Sequence, residues 1–387
     1  MKNIGILFGG RSVEHEVSVI TAMQIIENID KTKFNPIPIY INKAGEWLIS
    51  DSFLKFESFK NSKFDNPRKI ILSPNYKDAN LYLHPNNIKL FTKKDLDSID
   101  VFFPALHGTN GEDGTIQGLL ELIGIPYVGA GVLSSAVGMD KIIMKDIFKA
   151  NGIPVVDYTY YYRNTWMLDK KVILEDIESK IKYPLFVKPA NLGSSIGISK
   201  VKNKEELESA LNLAFSYDRK AIIEKAVENP REINCAVMGY ENEVEASLCE
   251  EPLGWKEILS FDDKYVKQNS KTSKDSNKNK NIPANISDEL RIKIENYAKD
   301  AFRAIDCRGN ARIDFLVSEE KVYVNEINTL PGSIAFYLWE GRGYSFKELI
   351  SKMIDIAIKA QKDKENNIYT YDSNLFNRTQ FGTKIKK

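Results

Sequence analysis

The chain of 387 residues is poor in cysteine: it holds three, Cys235, Cys249 and Cys307, an odd number with no C-x-x-C pair. That scarcity excludes a disulfide framework and a cysteine-based zinc site, and it fits a reducing compartment. Long apolar runs are missing too, since no stretch approaches the roughly 18 uninterrupted apolar residues that a membrane-spanning helix needs. The short apolar run from Met1 to Phe8 meets Arg11, Glu14, His15 and Glu16 at once, without a signal-type cleavage site, and reads as a strand. A cytoplasmic location without a membrane partner is therefore expected. Nor is there an excess of charge of one sign, because 54 Lys and Arg oppose 53 Asp and Glu. Without such a field there is little to attract nucleic acid, and a small molecule is the expected partner.

What is present is an ordinary globular composition, 43% hydrophobic and 28% charged, over a length beyond one hydrophobic core, so two or three domains are expected. Ile4 to Phe8 reads as a buried parallel strand running into Gly9-Gly10 and a helical pattern from Val17 to Ile29, a βα opening. Further strands are expected at Ile37 to Ile41 and Asp100 to Leu106, and a helix from Gly114 to Leu122, while the charged stretch 51–97 offers no assignment. A second domain begins near Gly129, with a helical Lys141 to Ala150 and strand-like Tyr158 to Tyr162 and Leu185 to Lys188. Residues 256–283 are polar and lysine-rich, the composition of a mobile surface loop, readable as a lid or as a plain solvated insertion. A helix from Asp288 to Ile305, strands at Asn310 to Val317 and Lys321 to Ile327, and a helix from Phe346 to Ala360 complete the core. The tail after Lys362 reads as weakly ordered.

The segment Lys188-Pro189-Ala190-Asn191-Leu192-Gly193-Ser194-Ser195-Ile196-Gly197 lies between apolar segments and reads as a hairpin loop. Small residues let backbone amides approach phosphate oxygens, and a lysine at the strand end adds a point charge. Its order is not that of the P-loop, and by itself it reads equally as a phosphate cradle or an ordinary Gly/Ser turn. Downstream, Arg312 and Asp314 alternate on one strand and Glu326 and Asn328 on the next, which puts each pair on one face. Two carboxylates and an amide oxygen suit Mg²⁺, a hard cation that bridges to nucleotide phosphates, with Arg312 placed to neutralise developing charge. A solvated cross-strand ion pair is the alternative, disfavoured by the apolar neighbours Phe315 and Val324.

Taken together, these segments resemble the D-alanine–D-alanine ligase family. Glu326-Ile327-Asn328-Thr329-Leu330-Pro331-Gly332 is similar to its E-x-N-T-x-P-G metal segment, and the run from Gly9 to Ser18 resembles its N-terminal signature. His107-Gly108 with Gly111 to Gly118 resembles its second signature and the Lys188 to Gly197 loop its third, all in family order. The resemblance implies an α/β chain with α+β elements in a three-domain ATP-grasp fold. Residues 1–129 would be a Rossmann-like substrate domain, 130–226 a central subdomain, 227–362 a catalytic subdomain carrying the lid loop 256–283, and 363–387 the tail. It also implies ATP and D-alanine as substrates, Mg²⁺ as cofactor (two ions, or Mn²⁺ in their place) and a homodimer. The implied reaction is ATP-dependent ligation of two D-alanines through D-alanyl phosphate, for peptidoglycan precursor synthesis.

Position by position, the resemblance gives Glu14 the ammonium of the first D-alanine, with His107 nearby, although a carboxylate there also suits the dipole of the helix that follows. Lys141 and Lys188 match the phosphate-binding lysines, with Ser195 on the ATP side, and Glu224, Lys225 and Glu232 match adenine- and ribose-side contacts. Ser194 matches the serine that positions Glu14 and the lid tyrosine. Lys264-Tyr265 matches the lid's lysine–tyrosine pair, Tyr265 alternatively being an ordinary side chain at a loop edge. Asp314, Glu326 and Asn328 are the implied metal ligands, Arg312 and the Gly332 amide the implied oxyanion donors, and Ser333 belongs to the substrate set. Two departures stand out. The run from Ser333 to Glu340 lacks the family's T-S-H-S-like pattern, where the second substrate's carboxylate is normally received, and Phe261 replaces an aromatic hydroxyl. Tyr265 favours D-alanine as the second substrate, against the D-serine or D-lactate of variant ligases. A nucleotide-sensing module without turnover is the alternative from another class.

Overall fold

The computed structural model describes residues 1–85, 95–253, 280–319 and 321–373, the side chains of residues 95–97 excepted. The first sheet holds β1 (Lys2–Gly9), β2 (Phe34–Ile41), β3 (Trp47–Ile49), β4 (Arg68–Leu72), β5 (Asn80–Leu83), β6 (Asp95–Ser98) and β7 (Val101–Pro104), in the order β6-β5-β4-β3-β2-β1-β7. Helix α1 (His15–Asn28) follows β1, and the short α2 (Phe56–Lys60) lies after β3. β1 pairs in parallel with β2 and β7, the Rossmann-like heart of the domain, while β3 to β6 form an antiparallel meander through the stretch left unassigned. β2 begins at Phe34 rather than Ile37 and carries Pro36 and Pro38. Proline has no N–H, so it is tolerated where one side of a strand lacks a partner. β3 reaches only Tyr40 and Ile41, which leaves β2 open beside both prolines. Helix α3 (Thr115–Ile123) runs between the left-handed Gly114 and Gly124 and buries Ile116, Leu120 and Ile123 against the sheet.

Helices α4 (Val132–Met139) and α5 (Lys141–Ala150) lead to the second sheet, made of β8 (Tyr158–Tyr162), β9 (Leu185–Pro189), β10 (Ser199–Val201) and β11 (Lys220–Lys225) in the antiparallel order β10-β9-β11-β8. Helices α6 (Arg163–Leu168), α7 (Lys170–Lys180) and α8 (Lys204–Tyr217) bury Trp166, Ile177, Leu207 and Phe215 against Leu185, Val187 and Ile223. Asp169 and Asn203 cap α7 and α8 by accepting the amides of Val172 and Glu206, each cap contributing about 1 kcal/mol.

The third sheet holds β12 (Arg231–Tyr240), β13 (Glu243–Pro252), β14 (Lys280–Asn281), β15 (Gly309–Ser318) and β16 (Lys321–Asn328), antiparallel in the order β14-β13-β12-β15-β16. Lys280 and Asn281, placed in the loop by composition, are thus strand. Helix α9 (Asp288–Ala304) packs Ile294, Ala298, Ala301 and Phe302 on this sheet. Helix α10 (Phe346–Lys364) starts with a capping box between Ser345 and Glu348 and runs past the expected Ala360. Its stripe Leu349, Ile350, Met353, Ile354 and Ala357 shares one core with Val19 and Met23 of α1 and Ala236 and Met238 of β12. At about 1.5–3 kcal/mol for each fully buried Leu, Ile or Met, α10 ties the first and third sheets together. All three cysteines are free and buried, Cys235 facing Cys249 across β12 and β13. Among the described residues no helix is long and apolar enough to cross a membrane.

Candidate functional site

Lysines gather where the second and third sheets meet. Asp140 caps α5, accepting the amides of Ile142 and Ile143 at 3.1 and 3.3 Å, and pairs with Lys220. Lys141 then points its ammonium at the Leu192 carbonyl, 2.9 Å away, and lies 3.4 Å from Glu326 Oε2. Lys188, at the end of β9, donates to Glu224 Oε2 at 2.6 Å and to Asn325 Oδ1 at 3.3 Å. Lys145, absent from the sequence reading, lies 3.2 Å from the other Glu224 oxygen and donates to the Asn325 carbonyl at 2.9 Å. Burial alone would raise the Glu224 carboxyl, but the two ammonium groups outweigh it and hold it at about 2. Burial lowers Lys145 more than Glu224 raises it. Glu224 thus faces lysines with 2% of its surface exposed, whereas the resemblance gave it a nucleotide-side contact. Lys225, on the opposite face of β11, is exposed, and Glu232 is half-buried near the start of β12.

The loop after Lys188 is the expected hairpin, joining antiparallel β9 and β10. Asp218 anchors it by accepting the amide and side-chain N–H groups of Asn191 at 2.7 and 3.0 Å. Ser194 and Ser195 both lie in the left-handed region, at φ of 55° and 59°, unusual for residues with a Cβ. That turn delivers Ser194 Oγ to Glu14 Oε1, to which it donates. Glu14 opens α1 yet makes no side-chain cap, so its carboxylate serves this junction rather than the helix amides. Gly108, at φ 71°, faces the same carboxylate, where a Cβ would stand 2.6 Å from Oε2. A side chain there would be strained and would displace the Ser12 hydroxyl and the Glu14 carboxylate.

A half-buried carboxyl and a buried imidazole complete this end of the site. Glu112, within the second signature but not singled out in it, accepts the Gly108 amide at 2.7 Å. Burial and the neighbouring Glu14 charge push its carboxyl well above the usual range. His107 Nε2 lies 2.9 Å from Thr21 Oγ1, which also accepts the Ser333 amide at 3.3 Å. Burial lowers His107 to about 4 despite its bond to the Leu330 backbone, so the imidazole is neutral near pH 7.

The β15–β16 edge follows the alternation read from the sequence: Arg312 faces Asn328 and Asp314 faces Glu326. Arg312 Nε and Nη2 donate to the two Asp314 oxygens at 2.6 and 2.7 Å, and Asn328 Nδ2 donates to Asp314 Oδ2 at 3.0 Å. Burial would lower the Arg312 guanidinium, but Asp314 holds it well above its ordinary value. With its amide nitrogen on Asp314, Asn328 keeps its oxygen as an acceptor beside the two carboxylates. Among the described residues no three His, Cys, Asp or Glu side chains form a cage of their own. This set of hard oxygens fits Mg²⁺ completed by phosphate oxygens and water. Beyond Gly332, Ser333, Ile334 and Ala335 are all left-handed, at φ of 51°, 46° and 49°. Asn310 holds the turn by donating to the Ile334 carbonyl at 2.7 Å while accepting Trp339 Nε1 at 3.0 Å. Lys264, Tyr265 and Phe261 lie outside the described residues.

Lysines from one antiparallel sheet and its leading helix, set against a carboxylate edge on a second, with a Rossmann-like domain bringing Glu14 alongside, define an ATP-grasp enzyme. Residues 3–130 match the family model for the D-ala D-ala ligase N-terminus and residues 147–355 that for its C-terminus. A D-alanine–D-alanine ligase of Thermosipho africanus is 46% identical over 380 residues, 97% of this chain and 98% of the relative. The solved D-Ala:D-Ser ligase of Enterococcus faecalis superposes with a TM-score of 0.76 at 33% identity, covering 92% of this chain and 99% of that one. The D-alanine–D-alanine ligase of Bacillus anthracis in complex with ATP gives 0.66 at 26% identity, over 94% and 100%. The chain belongs to the D-alanine–D-alanine ligase family. It is an ATP-dependent ligase that joins two D-alanines, a reaction of peptidoglycan synthesis.

Proposed function

We propose that the residues above carry the ligation in two steps, a reading supported chiefly by Lys141 on Glu326 and Lys188 on Asn325, both contacts falling on the strand that pairs Glu326 and Asn328 with Asp314 and Arg312. The ammonium of the first D-alanine binds Glu14, which Ser194 holds in place, while the neutral His107 packs nearby without opposing that charge. Its carboxylate attacks the γ-phosphorus of ATP, giving D-alanyl phosphate and ADP, with Lys141 and Lys188 neutralising the phosphate oxygens. Ser195 lines the phosphate side, and Lys225 and Glu232 the adenine and ribose side. Mg²⁺ or Mn²⁺, as one or two ions held by Asp314, Glu326 and Asn328, would supply further charge neutralisation.

The amine of the second D-alanine then attacks the acyl carbon. Arg312 and the Gly332 amide stabilise the tetrahedral oxyanion, and phosphate leaves. Ser333, tied through Thr21 to His107, borders the place of this second substrate. Water would hydrolyse the acyl phosphate, so Lys264 and Tyr265 close over it in this reading. A homodimer in the cytoplasm completes the reading, on family membership alone. D-alanine carrying ¹⁸O in both carboxylate oxygens tests the first step. One ¹⁸O should appear in phosphate for each dipeptide formed; unlabelled phosphate would exclude an acyl phosphate.

A further inference from the structure

The mechanism leaves one buried lysine of the site without a task. Lys145 follows Lys141 by four residues on α5, so both leave the same face of the helix. Its side chain is wholly buried, on Glu224 Oε1 at 3.2 Å and on the Asn325 carbonyl at 2.9 Å. Glu224 passes the contact to Lys188, and Lys188 returns it to Asn325, closing a ring that joins α5, β9, β11 and β16. An apolar side chain of similar length would occupy this place without the cost of desolvating an ammonium, so a requirement for charge is indicated. The balance shows what the charge does. Lys141, Lys145 and Lys188 stand against Glu224 and Glu326, leaving one positive charge in excess, and without Lys145 the same groups sum to zero.

We propose that Lys145 is a positioning residue for the nucleotide: through Glu224 it fixes the Lys188 ammonium, and it leaves the site the uncompensated positive charge that the ATP phosphates meet. The proposal rests on the reading of Lys188 as a phosphate-binding lysine. It also explains the burial of Glu224, which by itself would cancel the charge of the lysine it holds.

Steady-state kinetics of the full chain with D-alanine and ATP test it, comparing wild type with Lys188→Met, Lys145→Met and the double variant Lys145→Met/Glu224→Gln. Lys145→Met should raise KM for ATP about tenfold or more, with kcat and KM for D-alanine changed less than about threefold. The double variant restores the excess of one positive charge but not the hold on Lys188, so KM for ATP should fall severalfold below that of Lys145→Met while staying above wild type. A packing role would instead make the two losses add. KM for ATP within about threefold of wild type in Lys145→Met, or a double variant as impaired as the single one, would overturn the proposal. Should Lys145→Met be recovered only as aggregate, the double variant decides: KM for ATP within about fivefold of wild type supports the proposal and a larger loss overturns it. An unchanged KM for ATP in Lys188→Met removes the phosphate reading and this proposal with it. A raised KM there beside a normal Lys145→Met removes this proposal alone.

Discussion

Asp314→Asn keeps the shape of the side chain and removes the charge that Arg312 answers. In the wild type both carboxylate oxygens take guanidinium N–H groups at 2.6 and 2.7 Å, and the Asp314 side chain is 6% exposed. Breaking a buried ion pair by removing one partner costs about 3–5 kcal/mol. Arg312 retains 21% side-chain exposure, which places the cost near the lower end, about 3 kcal/mol. With an unfolding entropy of about 2.1 cal/mol/K per residue over 387 residues, about 3 kcal/mol lowers the midpoint by roughly 4 °C. Turnover at 25 °C, where the variant remains folded, should fall by roughly 100-fold, the loss expected when a preorganised electrostatic partner leaves a reacting site. Calorimetry and coupled detection of ADP measure the two effects. An apolar pair, Arg312→Leu with Asp314→Leu, should recover much of the midpoint and none of the activity, because replacing both charges removes the unpaired one. An unshifted midpoint in Asp314→Asn would refute the inference that Arg312 depends on this carboxylate.

Three further outcomes follow from buried and half-buried groups. His107 titrates near 4 when folded and near 6.5 when unfolded, so its contribution is present above pH 6.5 and about 3 kcal/mol is lost as pH falls toward 4. His107→Gln should flatten that part of the stability profile, measured by urea denaturation, and an unchanged slope would count against it. Glu112 has the opposite sign: its raised folded pKa stabilises the protein below the unfolded value of 4.5, and the contribution fades as pH rises through the folded value. Glu112→Gln keeps an acceptor for the Gly108 amide and should hold its urea midpoint over the range in which the wild type declines; parallel declines would oppose the assignment. Burial pushes the Cys307 thiol up to about 12, and the neighbouring Cys249 thiol together with burial pushes Cys235 well above its ordinary value, so a thiol-reactive dye should label the native protein far more slowly than the denatured one. Rapid labelling of any of the three cysteines would contradict their burial.

The parts legible in the sequence are those written in local periodicity. The run from Ile4 to Phe8 into Gly9-Gly10 announces β1 and α1, and alternation alone puts Arg312 with Asp314 and Glu326 with Asn328 before any register is known. The hairpin after Lys188 is legible for the same reason. Lys145 is not, since a lysine on an amphipathic helix reads as a solvated charge, and only its i, i+4 relation to Lys141 hints at a shared face. Glu224 is legible as a member of its motif, but its two ammonium partners come from α5 and β9 and are tertiary information. Local rules mislead most clearly at Ile334, a β-branched residue at φ 46°, where the bonds of Asn310 to Ile334 and Trp339 override backbone preference. β4 and β5 escaped notice because strands of five and four residues give too few alternations to separate from irregular chain.

The most direct measurement offers D-alanine, L-alanine, D-serine and D-lactate, singly and in pairs, with ATP and Mg²⁺, and counts released phosphate against the masses of the products. With D-alanine alone, one D-alanyl-D-alanine per phosphate is expected, and D-alanine should remain the preferred second substrate at equal concentrations of the others. Phosphate without dipeptide, or a mixed D-serine or D-lactate product in the majority, would contradict the D-alanine–D-alanine assignment.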